Sequence, residues 1–591
     1  MALRSLNSLV VAGLAAVIFC CLAAQSLQAA ARRPNVVLIM TDDQGYGDFG
    51  FHGNPVIKTP NLDRLAAESV ELTHFHVSPV CSPTRSSLLT GRYNYRTGVV
   101  DTYLGRSMMG TDEVTLAEML RDSGYKTAIF GKWHLGDNYP LRAMDQGFEE
   151  SLVHRGGGIG QPSDPPDNHS YFDPGMVHNG QEERAKGYIS DVITDAAIAY
   201  VKAQRDQPFF VYLAYNCPHT PLEVPESYRE VYAKLDLSAG AFPKVGRPVE
   251  GKQNPEEMAR LYGMITNIDD NLGRLFQTLE DQKLVEDTIV VFLTDNGPQQ
   301  PRFNSGLRGR KGSVYDGGIR VPCLVRAPGK LKAGRKVDAV SAHIDLTPTL
   351  LAACGAQVPP DAKMDGMNLW PLLLGDTDKL AERTLFFQWH RGDAPQAFRA
   401  CAARDPQYKL VQAQGSGDGQ FKSGGKFEIF DLINDPYEER DLSQTKPEIV
   451  ERLKREYDAW FQDVSGSRGF APIRTVIGSE RQPRVMLTRQ DWRGPRAGWG
   501  KKDLGAWELT GEKSEVYDIT VRFDSMTKAG VARLRWGDAA VEQPVAAGDR
   551  QTRFHGVKLP SGPLRLEAIL DGDGPPSGAH YVELQASGDN R

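Results

Sequence analysis

The sequence predicts an α/β protein with a mostly parallel central sheet flanked by helices, then a smaller α+β subdomain and an appended antiparallel β-sandwich. Three observations carry this reading. The chain has 591 residues, more than one core usually holds. From Asn35 to His343 short β-rich runs alternate with longer segments of helical period. Near the C-terminus the apolar period changes to two. The clearest β-rich runs are Asn35 to Met40, Thr127 to Phe130, Phe209 to Tyr215 and Thr288 to Leu293. Between the last two, Asn254 and Pro255 open a helix whose Leu261, Ile265, Ile268, Leu272, Leu275 and Leu279 form one apolar stripe. Gly156 to Gly187, rich in Gly, Pro, Asp and Asn, reads as loops over one face.

The domain plan starts with residues 1–31, which read as a secretory signal: Arg4, a nearly uncharged run from Leu6 to Leu27, then Ala29, Ala30 and Ala31. A membrane anchor fits less well, because Gln25, Ser26 and Gln28 interrupt the run. Phe19 is the wrong neighbour for a lipidated Cys20. No later segment is long and apolar enough to cross a bilayer, so no membrane span is expected after signal removal. The α/β domain is placed at 32–375 and the α+β subdomain at 376–470. In the latter, Phe427 to Leu432 reads as a strand, and Ile449, Leu453, Tyr457 and Trp460 share one side of a helix after Pro447. Residues 480–591 form the sandwich, where Tyr517, Ile519, Val521 and Phe523 alternate with polar residues.

Composition narrows the function. Basic residues number 69 against 75 acidic, so no surplus of positive charge exists to hold nucleic acid. After the signal, five cysteines remain, Cys81, Cys217, Cys323, Cys354 and Cys401, an odd set without a disulfide framework.

Polar clusters follow directly on the carboxyl ends of the predicted strands: Asp42 and Asp43, Lys132 and His134, His219, and Asp295 with Asn296. In an open parallel sheet those ends share one edge, where ligands bind. Asp42, Asp43, Asp295 and Asn296 offer only oxygen, which suits Ca²⁺ or, less well, Mg²⁺, and disfavours zinc. The plainer reading of either acidic pair alone is a turn or helix cap. Cys81 stands just before a helix that Pro83 can start, whose free N–H groups favour an anion.

At Cys81-Ser82-Pro83-Thr84-Arg85, followed by Thr90-Gly91-Arg92, the sequence resembles the type I, formylglycine-dependent sulfatases. The likeness runs from about Asn35 to Leu442. It includes T-D-D-Q-G-Y-G-D at 41–48, G-K-W-H-L-G at 131–136, C-P-H-T-P-L at 217–222, T-D-N-G at 294–297 and R-G-R-K-G-S-V-Y-D-G-G-I-R at 308–320. The last motif is most similar to arylsulfatase B and related polysaccharide sulfatases. The resemblance implies an alkaline phosphatase-like layout and oxidation of Cys81 to formylglycine by a maturation enzyme. It implies Ca²⁺ held by Asp42, Asp43, Asp295, Asn296 and the modified Cys81. Arg85 would orient that group, Lys132 and Lys311 would hold sulfate oxygens, His134 would help remove a proton, and His219 would contact the leaving oxygen. One hydroxyl of the aldehyde hydrate would attack sulfur, and the second would drive release of inorganic sulfate. Ser151 and His154 are candidates for a further polar contact; Trp133 reads as packing.

For the substrate, His390 and Arg391 are candidate contacts to hydroxyl or anionic groups of a sugar, with Trp389 as a stacking face. Trp492, Trp499 and Trp507 read equally as a carbohydrate platform or as core. The expected function is hydrolysis of a sulfate ester, on sulfated carbohydrate ahead of a small aryl sulfate, by a secreted or periplasmic bacterial enzyme. Two alternatives stand beside it: a phosphodiester or phosphonate monoester hydrolase with the same nucleophile, and an inactive sulfated-glycan binding protein.

Overall fold

A computed structural model describes residues 33–587 apart from 166, 418, 420, 422, 423 and 573. The N-terminal signal segment lies outside the described residues. Asn35–Thr41 is buried along its whole length and lies within a ten-stranded sheet. A run that is apolar on both faces is what a parallel strand between two helical layers requires. It pairs in parallel with Phe209–Ala214 on one side and Thr288–Thr294 on the other. Lys126–Lys132 and Glu150–His154 continue the parallel order.

Successive side chains of the central strand enter two cores. Val36, Leu38 and Met40 pack with Leu88, Leu116 and Leu350. Val37 and Ile39 pack with Ile193, Ile268 and Leu272. Each such fully buried side chain contributes roughly 1.5–3 kcal/mol, and Leu38→Ala would cost about 2–5 kcal/mol through the cavity left at the sheet centre. The Pro255–Asp281 helix begins as its sequence directs, with the Asn254 side chain accepting from the Glu256 and Glu257 N–H groups.

Antiparallel strands flank the parallel centre: Cys323–Arg326 on one side, with Val70–Leu72 and then Lys336–Val337 beyond it, and the hairpin Gly175–His178 with Gln181–Arg184 at the other edge. That hairpin falls where loops were expected. Its strands are four residues each, and the second is fully exposed, so no apolar alternation marks them. The described remainder of the glycine-rich stretch is the expected loop.

Leu385–Gln388, Cys401–Arg404, Tyr408–Gln412 and Glu428–Asp431 form a four-stranded antiparallel sheet. The Pro447–Gly466 helix covers it through Leu453, Tyr457 and Trp460, in a cluster that also takes Tyr95 and Val100 from the first part of the chain. This sheet therefore shares a core with the catalytic part and is not self-contained. Beyond it, a seven-stranded and a four-stranded sheet make the sandwich, its core filled by alternating residues such as Tyr517, Ile519 and Val521. Thr475–Ile477 already belongs to it, pairing with Leu504–Gly511, so the sandwich starts ahead of position 480. Among the described residues no helix is long and apolar enough to cross a membrane.

Candidate active site

Thr41 and Thr294 lie opposite each other in the sheet, so Asp42-Asp43 and Asp295-Asn296 emerge side by side at its carboxyl edge. Asp43 turns there with φ 62°, and His134, two residues past Lys132, with φ 61°. Left-handed backbone at a non-glycine residue is uncommon and collects at functional sites. Cys81 begins the helix Cys81–Thr90, all ten residues of which are buried. One turn on, the Arg85 side chain lies beneath it. Its guanidinium donates to Asp295 Oδ2 at 2.8 Å and to the Lys132 carbonyl at 3.1 Å.

Cys81 Sγ lies 3.4 Å from Asp42 Oδ1. Lys132 Nζ pairs with Asp42 Oδ2, and Lys311 Nζ with Asp43 Oδ1 at 2.6 Å. Asn296 donates to that same Asp43 oxygen at 2.7 Å. Behind the pair, Arg302 binds Asp48 and the Asp43 carbonyl and is itself fully buried. Ligand atoms of Asp42, Asp43, Cys81 and Asp295 all lie within 4.8 Å of one another. Two buried oxygens here, Asp43 Oδ2 and Asn296 Oδ1, have no hydrogen-bond partner. Orphaned acceptors among three carboxylates are the donor set of a hard divalent cation. The residues fit such an ion.

Three carboxylates, Asp42, Asp43 and Asp295, face three cationic side chains, Arg85, Lys132 and Lys311. Burial alone would raise the Asp42 pKa, yet Lys132, His219, Arg85 and Lys311 together hold it far below the usual carboxylate range. Burial and the neighbouring Asp42 charge push Asp295 up to about 6. Burial, then Asp295 and Asp42, push the Cys81 thiol upward.

Two histidines complete the site. His134 Nε2 lies 2.7 Å from the Thr102 carbonyl, which only an N–H can satisfy, leaving Nδ1 as the acceptor. That Nδ1 is buried and without a partner. Burial, followed by the charge of Lys132, holds the His134 pKa well below its ordinary value. His219 Nδ1 meets the Thr220 carbonyl at 2.7 Å, and its Nε2 faces Asp43 Oδ2 at 3.9 Å. The glycine-rich loop lies across both rings: a Cβ on Gly157 would fall 2.4 Å from His134 Cε1, and one on Gly158 3.2 Å from His219. Only glycine allows the first approach.

Above the cluster opens a pocket of about 540 Å³ lined by Cys81, His134, His219, Lys311, Trp389 and Arg391, among others. Arg391 Nη1 binds Asp101 at 2.7 Å, and its guanidinium lies 4.2 Å from the Tyr103 ring centroid. Its neighbour His390 does not line the pocket; it is 3 % exposed, with Nδ1 against the Arg391 carbonyl and Nε2 accepting from Gln396 N–H. Ser151 is occupied with Asn179, and neither it nor the buried His154 reaches the pocket; Gln161 does. Trp133 packs against Phe148. Trp492 and Trp507 are fully buried in the sandwich core, whereas Trp499 lines the pocket.

Sequence reading missed the loop Asp101–Arg106, which supplies Thr102 beneath His134, Tyr103 beside Arg391, and Asp101 bound to both Trp389 Nε1 and Arg391. The loop has no periodicity and no sequence motif to mark it. Arg302 was missed as well; only its contact with Asp48, inside the T-D-D-Q-G-Y-G-D stretch, identifies it.

Comparison with known proteins agrees with this geometry. Residues 34–356 match the sulfatase family model, and residues 310–462 match the model for N-sulphoglucosamine sulphohydrolase, C-terminal. Human arylsulfatase A is 33 % identical over 484 residues, covering 72 % of this chain and 87 % of its own. Human N-acetylgalactosamine-6-sulfatase is 32 % identical over 398 residues, covering 62 % and 69 %. Among solved structures, Ps i-CgsB in complex with k-i-k-neocarrahexaose aligns with a TM-score of 0.63 at 28 % identity, covering 74 % of this chain and 95 % of its own. The alternating sheet, the buried Asp/Cys cluster and these likenesses converge: the chain belongs to the sulfatase family and is a sulfuric ester hydrolase.

Proposed function

We propose that the protein hydrolyses sulfate esters on carbohydrate, with formylglycine at Cys81 as nucleophile and Ca²⁺ held by Asp42, Asp43, Asp295, Asn296 and the modified residue. The observation that carries this is the convergence of those side chains around two orphaned buried oxygens. When present, the ion supplies positive charge against a sulfate oxygen, and the oxidised Cys81 supplies two hydroxyls on one carbon, one to attack sulfur and one to drive its release. The other groups belong to the chain. Arg85, fixed by Asp295, holds residue 81 in place. Lys132 and Lys311, which pair with Asp42 and Asp43, would bind the sulfate oxygens and stabilise charge as it moves toward the bridging oxygen. His134 takes a proton at its free Nδ1, and its bond to Thr102 fixes the tautomer that makes this possible. His219 presents Nε2 to the leaving oxygen.

Arg391 is the proposed contact to an anionic or hydroxyl group of the sugar; His390 supports the backbone beside it. A carbohydrate substrate is supported by the names of two relatives, one an N-acetylgalactosamine-6-sulfatase and one complexed with k-i-k-neocarrahexaose. The leader read at 1–31 supports a secreted or periplasmic enzyme; we place it in a bacterium, matured by a formylglycine-generating enzyme, with residues 32–375, 376–470 and a sandwich that begins by Thr475 as its three parts.

The test is release of free sulfate from sulfated mono- and oligosaccharides, run beside an aryl sulfate, a phosphodiester and a phosphonate, with and without a calcium chelator. Sulfate release lost on chelation and restored by Ca²⁺ is expected. Preference for a phosphorus ester would establish the phosphohydrolase instead, and no turnover by protein carrying oxidised Cys81 would leave a binding protein.

A further inference from the structure

We infer that the appended β-sandwich is a wall of the active site, and that its Trp499 is the face against which the carbohydrate leaving group stacks. This rests on the carbohydrate reading above and deepens it. The sandwich contains four tryptophans, and three of them, Trp492, Trp499 and Trp507, are used differently. Trp492 and Trp507 are 0 % and 1 % exposed, while Trp499 is 37 % exposed and lines the same pocket as Cys81, His134, His219 and Lys311. A large apolar ring left open at the mouth of a catalytic pocket marks a ligand surface rather than a core.

Its placement is built. The Trp499 ring stands edge-on to Tyr103 with centroids 5.3 Å apart. On Tyr103 lies the Arg391 guanidinium, also 5.0 Å from the Trp389 ring. The pocket thus carries a cation held by Asp101 beside two aromatic faces from different parts of the chain. That is the chemistry of a sugar ring, whose C–H face packs on an aromatic while a carboxylate or second sulfate meets arginine.

The sandwich also holds the loop that carries Tyr103. Leu104 is buried within the sandwich core. Gly105 N–H donates to the Gln490 carbonyl at 2.8 Å, and Arg493 donates to the Gly105 carbonyl at 2.6 Å. Gln490 Nε2 donates at 2.9 Å to the Thr102 carbonyl that fixes His134. Removing the sandwich would release this loop from both substrate wall and histidine.

The test uses the full-length matured enzyme with Trp499→Ala and Trp499→Phe, assayed on 4-nitrophenyl sulfate and on the sulfated sugar the wild type turns over best. With Trp499→Ala the sugar-to-aryl ratio of kcat/KM falls about ten-fold, the scale of a lost aromatic contact, and the loss appears in the sugar KM. Trp499→Phe recovers most of it, and Tm stays within about 2 °C of wild type. An unchanged ratio in both variants overturns the inference while leaving the substrate reading intact, as does an equal loss on both substrates. Should Trp499→Ala prove unstable, Trp499→Leu, which keeps bulk but has no aromatic face, decides instead at reduced temperature, a fall in the ratio supporting the stacking role and no change refuting it. A wild type that cleaves the aryl ester and no sugar removes the substrate reading, and this inference with it.

Discussion

Lys132→Met tests the charge arrangement of the site without using activity. Lys132 is fully buried and paired with Asp42, in a cluster where three carboxylates face Arg85, Lys132 and Lys311. Methionine keeps most of the side-chain volume and removes one positive charge, leaving one buried carboxylate uncompensated. Breaking one partner of a buried ion pair costs about 3–5 kcal/mol, and at about 2–4 °C per kcal/mol this lowers Tm by roughly 6–20 °C in chelator. A divalent cation offsets that loss, because a site with one more net negative charge binds it more tightly. Ligand stabilisation grows as RT ln(1 + [L]/Kd), about 4.1 kcal/mol at a thousand-fold excess over Kd. The Ca²⁺-induced rise in Tm should therefore be larger in Lys132→Met than in wild type. The assay is thermal unfolding by circular dichroism with chelator and with millimolar CaCl₂. A rise equal to or smaller than that of wild type, or no rise in either protein, would refute the reasoning that these carboxylates hold a cation.

Three further outcomes follow from particular residues. Cys81→Ser should fold with wild-type Tm yet release no sulfate, since serine has no second hydroxyl to expel the product; measurable multiple turnover would reject the proposed nucleophile. Trp492→Ala should lower stability by about 3–5 kcal/mol, because its ring is wholly buried against Trp507; chemical denaturation checks this, and a loss under about 1 kcal/mol would contradict the packing. Asp491, at the seam between sandwich and catalytic part, is pushed up to about 8 by burial and then by the Asp137 charge, against the pull of Arg155 and Arg493. A carboxyl raised in the folded state takes up its proton more readily there than when unfolded, so its charge destabilises the fold increasingly as pH rises from about 4 toward 8. Asp491→Asn should then raise Tm by a few degrees at pH 8 and by nothing at pH 4; melting curves at the two values decide, and an equal shift at both would show another cause.

Much of this was legible in the sequence, for identifiable reasons. Asn35–Thr41 is apolar on both faces, which only a covered parallel strand explains, and Asp42, Asp43, Asp295 and Asn296 were found because a parallel sheet aligns its carboxyl ends. The hairpin at 175–184 escaped because four-residue strands, one wholly exposed, carry no period. His390 and Arg391 look alike in sequence, adjacent and polar, yet one is bound on both nitrogens to backbone and the other faces the pocket. Neighbours on a chain diverge in direction, and composition does not report direction. Trp492, Trp499 and Trp507 were likewise indistinguishable in sequence until their surroundings separated Trp499 from the other two.

Leu104 comes from a loop nearly four hundred positions before the strands that enclose it. The peptide linking Gly466 to Thr475 is seated as well, with Arg468 donating to Glu113 and to the Arg96 carbonyl and Phe470 meeting Tyr95, so the two parts are joined by contacts along its length and not by a free tether. The register of one part on the other is written in the leucine and the backbone bonds around Gly105, so a graft of this sandwich onto a relative would need that loop to travel with it.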